Sequence, residues 1–115
     1  MYKKELGNKG EKIASDYIKE IGYEILDKNY RKREGEIDLI AEDNREIVFI
    51  EVKTRKSSNF GYPEEAVNQK KTEKMIKVAN LWLEEKEKFD NSWRIDIIAI
   101  EMDTQPPKIT HIKNI

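Results

Sequence analysis

Hydrophobic positions follow two patterns along this chain, and their order predicts the architecture. Over residues 8–21, Ile13, Ala14, Tyr17, Ile18 and Ile21 recur with helical period and Gly22 supplies a stop. One face of this first helix should be buried. Gly7 and Gly10 lie near that face and allow another backbone to approach, while Glu11 sits at its flank. Residues 23–29 read as a short strand ending in the basic segment 30–33. Two stronger strands follow at 36–41 and 47–53, joined by the polar stretch 42–46, which predicts a hairpin. Ile37, Leu39, Val48, Ile50 and Val52 form one parity set and Ile40, Ile47 and Phe49 the other. Such strands are covered on both faces.

A second helix is expected over 63–88, with Pro63 at its first position and Glu64 and Glu65 favouring the positive end of its dipole. Val67, Met75, Val78, Trp82 and Phe89 share a stripe, and projection at 100° per residue places Lys71 on it too. Lys71 therefore either snorkels or carries a charge to the sheet. Residues 93–100 read as another central strand, with Arg94 and Asp96 on one face in a structural pairing. Pro106 and Pro107 end that element, and 108–115 add an edge strand. The expected fold class is thus α/β, a mixed central sheet flanked by helices in the order α-β-β-β-α-β with a final edge strand.

The length of 115 residues suits a single domain. Charged residues make up 39% of the chain against a typical quarter, while 37% hydrophobic residues suffice for a small core. The net charge of −1 advertises no overall affinity for nucleic acid, so any basic footprint must be local. Candidate clusters are Lys28, Arg31, Lys32 and Arg33; Lys53, Arg55 and Lys56; and Lys70, Lys71, Lys74 and Lys77. Each also reads as a solvated face laced with acids.

The absence of cysteine excludes disulfides, thiolate nucleophiles and cysteine-ligated zinc. The single histidine, His111, excludes His-pair zinc motifs, gives no support to Ser-His-Asp chemistry and reads as incidental. Chemistry would fall to carboxylates and lysines. The start of the chain lacks an apolar signal region and no apolar run is long enough to cross a bilayer, so a cytoplasmic protein with no membrane partner is expected.

Asp38, Glu51 and Lys53 interrupt strands that otherwise call for burial on both sides, where unpaired charge costs several kcal/mol. If Asn44 and Arg45 form a two-residue turn, Asp38 pairs with Glu51 across the hairpin, with Cβ atoms roughly 5 Å apart. Facing carboxylates repel unless a cation lies between them, and Lys53 compensates only in part. Mg²⁺ suits such a carboxylate pair, completed by water and substrate phosphate. The alternative is an ion triad that only pins the register.

Gly35-Glu36-Ile37-Asp38 followed by Val48-Phe49-Ile50-Glu51-Val52-Lys53-Thr54-Arg55 resembles the YraN-type family of small uncharacterised bacterial proteins. Gly7 with Glu11, Asn29, Phe60-Gly61, Lys71, Ala79 and Arg94-Ile95-Asp96 also resemble its recurrent positions. That family is grouped with restriction-endonuclease-like nucleases, whose superfamily includes archaeal Holliday-junction resolvases. The resemblance implies metal-binding roles for Asp38 and Glu51, a catalytic role for Lys53, and a helix-borne metal-ligating acid in Glu11. Ile37 stands where many superfamily members have proline, although Glu-Ile-Asp is usual for this family.

The expected activity is a metal-dependent endonuclease acting on DNA, branched or structured DNA included. Mg²⁺ or Mn²⁺ would be held by Asp38, Glu51 and the Val52 carbonyl, and Lys53 would orient or deprotonate water or neutralise the oxyanion. Arg31, Arg33, Arg55, Lys56 and Lys71 would grip the DNA backbone electrostatically. Phe60 and Tyr62 are expected to pack at the helix start. Two rivals stand beside this reading: a nucleic-acid-binding module with a relic site, and a protein-interaction subunit whose charges are structural. Such folds often form a homodimer, though the charged surface offers no clear apolar seam.

Overall fold

The helical repeat at the start of the chain becomes α1 (Tyr2–Glu20) in a computed structural model that describes residues 2–56 and 68–115. It begins before the amphipathic stretch because Lys3, Lys4, Glu5 and Leu6 are good helix formers. Gly22 ends it as expected: at φ 97° its N–H donates to Lys19 O (3.0 Å) while Tyr23 N–H donates to Ile18 O (2.8 Å), satisfying the last carbonyls. Ala14 and Ile18 are fully buried, whereas Ile21, beyond the last turn, is exposed.

Strands β1 (Glu24–Lys32), β2 (Gly35–Asp43) and β3 (Glu46–Arg55) form an antiparallel meander. β1 takes in Tyr30, Arg31 and Lys32, expected to follow the strand, because an edge strand tolerates exposed basic side chains. The chain then crosses through α2 (Gln69–Glu85) to β4 (Trp93–Glu101), parallel to β3, and returns as the antiparallel edge strand β5 (Lys108–Ile112). The five-stranded sheet has the order β1-β2-β3-β4-β5. Ala14 and Ile18 of α1 pack with Leu39, Val48, Ile50 and Ile98 on one face. Met75, Val78 and Trp82 of α2 pack with Ile40, Ile47, Phe49 and Ile95 on the other. Both faces of the central strands are covered, as their unbroken apolar runs require. No helix among the described residues is long and apolar enough to cross a membrane.

The start of α2 expected at Pro63, with Glu64, Glu65 and Val67, lies outside the described residues, as do Phe60 and Tyr62. Within them the helix opens at Asn68, which is extended (φ −136°, ψ 125°) and accepts the Lys71 N–H on its side-chain oxygen at 3.2 Å. It ends three residues before the expected Lys88. Glu87 takes the left-handed conformation (φ 55°) and Lys88 N–H closes on Leu83 O (2.7 Å), a stop made without the glycine that would have signalled it. Phe89 therefore stands 67% exposed instead of completing the apolar stripe.

The β2–β3 hairpin turns on Asn44 (φ 52°) and Arg45 (φ 73°), both left-handed as a two-residue hairpin requires. The register runs from Asp43↔Glu46 to Leu39↔Ile50, the alignment that the turn predicts. One pair beyond, the two strands part. β2 stays with β1 through Tyr30↔Ile37 and Lys32↔Gly35, while β3 stays with β4 through Glu51↔Ile97 to Arg55↔Glu101. This fork breaks the alternation of β2, so Ile37 joins the α2-side cluster with Ile40 instead of the Leu39 side expected from parity.

Candidate functional site

The fork opens a cleft of about 750 Å³. Gly35, Glu36 and Asp38 line one prong, Glu51, Val52, Lys53 and Arg55 the other, and Asn68, Lys70, Lys71, Lys74 and Met75 the α2 side. Asp38 sits where the ladder ends. Its Oδ2 accepts the Val52 N–H at 2.8 Å, so the carboxylate replaces the backbone partner that continued pairing would have provided. The sequence register thus brings Asp38 and Glu51 into one cleft, but the strands separate before those two positions become a ladder pair.

Charge in this cleft is unbalanced locally. Burial is the main cause that pushes the Asp38 carboxyl up to about 6; the Val52 N–H works against it, and Glu11, Glu36 and Glu51 add to it. Glu51 is buried, with 8% of its surface exposed. Its Oε1 contacts two ammonium groups, Lys53 at 3.5 Å from the same strand and Lys71 from the first turn of α2. Burial, then the neighbouring Lys71, lowers the Lys53 pKa, with Glu51 opposing. Burial works against the charge on Lys71 as well, but its hydrogen bond to Glu51 leaves it raised. Five cationic side chains against three acids line the cleft among the described residues.

Other expected residues are placed as follows. Arg55 and Lys71 line the cleft, whereas Arg31, Arg33 and Lys56 are exposed outside its lining. Arg31 pairs with Glu36 across the β1–β2 ladder at 3.3 Å. Glu11 lines a separate recess, with Ser15, Lys28 and Asn29. Its pKa is raised chiefly by burial, with Asn29 opposing, and its charge still reaches Asp38. Lys70 and Lys74 belong in the cleft alongside Lys71. Their signal was the lysine cluster on the helix face next to Lys71, although only Lys71 stands on the apolar stripe.

The donor set suits a hard divalent cation: two carboxylates, one of them destabilised by burial and like charge, with backbone oxygen nearby. Among the described residues no three histidine, aspartate or glutamate side chains converge on one point. A cation held there would therefore draw the rest of its coordination from water and backbone oxygen.

A second polar cluster fills the opposite face of the sheet. Arg94 contacts Asp96 (3.0 Å), Glu46 (2.6 Å), Asp43 (3.3 Å) and the Tyr23 hydroxyl (2.7 Å). The fully buried Asp96 meets His111 Nε2 at 2.7 Å and accepts the Asn114 N–H at 3.0 Å, while His111 Nδ1 meets the Tyr17 hydroxyl at 3.0 Å. With Nε2–H donating to Asp96 and Nδ1 accepting from the Tyr17 hydroxyl, one ring satisfies both contacts. Burial would raise Asp96, but His111, Arg94 and Asn114 together hold it below the usual carboxylate range. The Arg94–Asp96 pairing is the structural one that the sequence suggested. His111 is no incidental residue but the link that ties β5 and α1 to Asp96.

The sequence that builds this forked sheet has relatives. A family model described as "Uncharacterised protein family UPF0102" matches residues 10–100, a span that contains both prongs and α2. A UPF0102 protein of Geobacter metallireducens is 43% identical over 114 residues, covering 99% of this chain and 93% of the relative. Those of Geotalea daltonii and Syntrophomonas wolfei are 46% and 42% identical, each over 96% of this chain and 88% and 96% of the relative, respectively. Matches of this extent and identity, spanning every residue of the cleft, place the chain in the UPF0102 family.

Proposed function

We propose that this protein is a metal-dependent endonuclease that hydrolyses phosphodiester bonds in DNA, branched or structured DNA included. The observation that carries the reading is the pair Asp38 and Glu51 on the two prongs of one fork, in a cleft whose lining also includes Lys53, Arg55, Lys70, Lys71 and Lys74. Acids alone would suit a cation store, and lysines alone an anion store. Together they suit a phosphodiester that is gripped by its charge and polarised at one bond.

Asp38, Glu51 and the Val52 carbonyl would hold Mg²⁺ or Mn²⁺, which when bound supplies Lewis-acid charge at the scissile phosphate and acidifies water. Asp38 is fixed by the Val52 N–H, so its remaining oxygen keeps one direction. Lys53, held on β3 beside Glu51, orients the attacking water, and its lowered pKa brings it closer to proton transfer. Arg55, Lys71, Lys70 and Lys74 grip the backbone from the cleft walls, with Arg31, Arg33 and Lys56 as outlying contacts. Glu11 adds negative charge near Asp38 from its own recess and would join the metal site through water.

The test is a cleavage assay on duplex, flap and four-way-junction DNA with Mn²⁺ or Mg²⁺, comparing the wild-type protein with Glu51→Ala. Divalent-dependent cleavage by the wild type and none by the variant is the expected outcome. Equal cleavage would remove the assigned site. The full answering of Glu51 by two lysines favours one rival, a module that binds without cutting. Its signature would be metal-independent DNA binding with no cleavage by either protein.

A further inference from the structure

Glu51 raises a question of charge that hydrolysis alone does not answer. A carboxylate 8% exposed needs a counter-charge, yet two ammonium groups converge on its single Oε1. Their mutual repulsion contributes to the lowered Lys53 pKa. The two lysines differ in how they are held. The Lys53 side chain is 27% exposed and rises from the middle of the sheet, two positions from Glu51 on the same face. The Lys71 side chain is 45% exposed and reaches Glu51 from the first turn of α2 on a flexible four-carbon stem. Of the two, Lys71 is the freer to leave.

We propose that Lys71 is an internal counter-ion that occupies the Glu51 carboxylate until a divalent cation replaces it. This rests on the reading that Asp38 and Glu51 bind such a cation. Cation binding and departure of the Lys71 ammonium are then one exchange. The ammonium remains charged and stays in the cleft, which Lys70 and Lys74 also line. The exchange suppresses metal binding when no substrate is present and links it to polyanion binding, because a phosphate in the cleft gives the displaced ammonium a new partner and metal gives the phosphate a freed lysine.

Calorimetry of Mn²⁺ binding to the full chain at fixed ionic strength tests this in the wild type, Lys71→Met, Lys71→Arg, Lys74→Met and Glu51→Gln. Lys74→Met removes the same charge from the same cleft and controls for general electrostatics. Lys71→Met should tighten Mn²⁺ binding about tenfold or more, Lys74→Met by no more than about twofold, and Lys71→Arg should stay near the wild type. Equal tightening by Lys71→Met and Lys74→Met, or none by Lys71→Met while Glu51→Gln loses the ion, overturns the counter-ion role and leaves the hydrolytic reading standing. If Glu51→Gln binds Mn²⁺ as the wild type does, the metal site itself fails and the counter-ion role falls with it. A readout that needs no variant comes from NMR of the wild-type lysine side chains. Mg²⁺ should shift the Lys71 Hε and Cε resonances more than those of Lys70, and an unmoved Lys71 under saturating Mg²⁺ overturns the exchange.

Discussion

Gly7→Ala and Gly10→Ala add the same methyl group to the same helix and should move stability in opposite directions. A Cβ at Gly10 would stand 1.8 Å from Thr54 Oγ1 and 2.9 Å from both Thr54 Cβ and Cγ2. Rotation of the Thr54 side chain relieves the first contact, but its Cβ is fixed by the β3 backbone, so α1 must move off the sheet. Overpacking of this kind costs about 3 kcal/mol, against which alanine returns ~1 kcal/mol of helix propensity, leaving a net loss of about 2 kcal/mol. At Gly7 a Cβ meets nothing within 4 Å, so only the propensity gain of about 0.5–1 kcal/mol remains. Urea denaturation followed by circular dichroism should separate the two variants by about 3 kcal/mol, and melting temperatures by roughly 10 °C. Thr54→Ala removes two of the three contacts and should recover part of the Gly10→Ala loss, with a coupling of about 1 kcal/mol in the double variant. Equal stability of the two glycine variants, or no coupling to Thr54, would refute the close approach of α1 to β3. The site depends on that approach, because Thr54 adjoins Lys53.

Asp38→Asn keeps an oxygen for the Val52 N–H and removes the charge. Because the folded-state value of Asp38 is raised to about 6, its protonated form favours folding: that contribution is complete below pH ~4 and is lost as pH rises through about 6. With EDTA present, Asp38→Asn should exceed the wild type in stability by about 1–3 kcal/mol at pH 8, and the gap should close by pH ~4; a pH-independent gap would sink this account. Asp96→Ala leaves His111 Nε2 and the Asn114 N–H without their acceptor and Arg94 with only Glu46, Asp43 and the Tyr23 hydroxyl, and should cost about 2–4 kcal/mol by urea denaturation, a loss below ~1 kcal/mol counting against a buried network. Glu87→Gly relieves a left-handed φ of 55° and should raise the urea midpoint by the equivalent of about 1 kcal/mol, whereas a lowered midpoint would mean that Glu87 is not the stop of α2.

What the sequence made legible follows from period and turn chemistry. Gly22 and the Asn44–Arg45 turn each act within a few residues, so the end of α1 and the hairpin register could be read directly. The projection of Lys71 onto the apolar stripe anticipated its reach to Glu51, since one helix turn fixes direction over so short a span. The fork was not legible. Whether β2 follows β1 or β3 past Leu39 is settled by competition between two ladders, and no local pattern records the result. His111 was hidden for a related reason: its partners Tyr17 and Asp96 lie 94 and 15 positions away, so only the fold brings them together. The end of α2 escaped because Glu87 makes a turn that usually announces itself through glycine.

In the proposed function the forked cleft both grips DNA and cuts it, with Lys53 serving the cut. Single-turnover cleavage and equilibrium binding of one DNA, measured side by side for the wild type and Lys53→Ala in Mg²⁺, separate these roles. Lys53→Ala should bind within about threefold of the wild type yet cleave roughly 100-fold or more slowly. Cleavage at the wild-type rate by Lys53→Ala would contradict it.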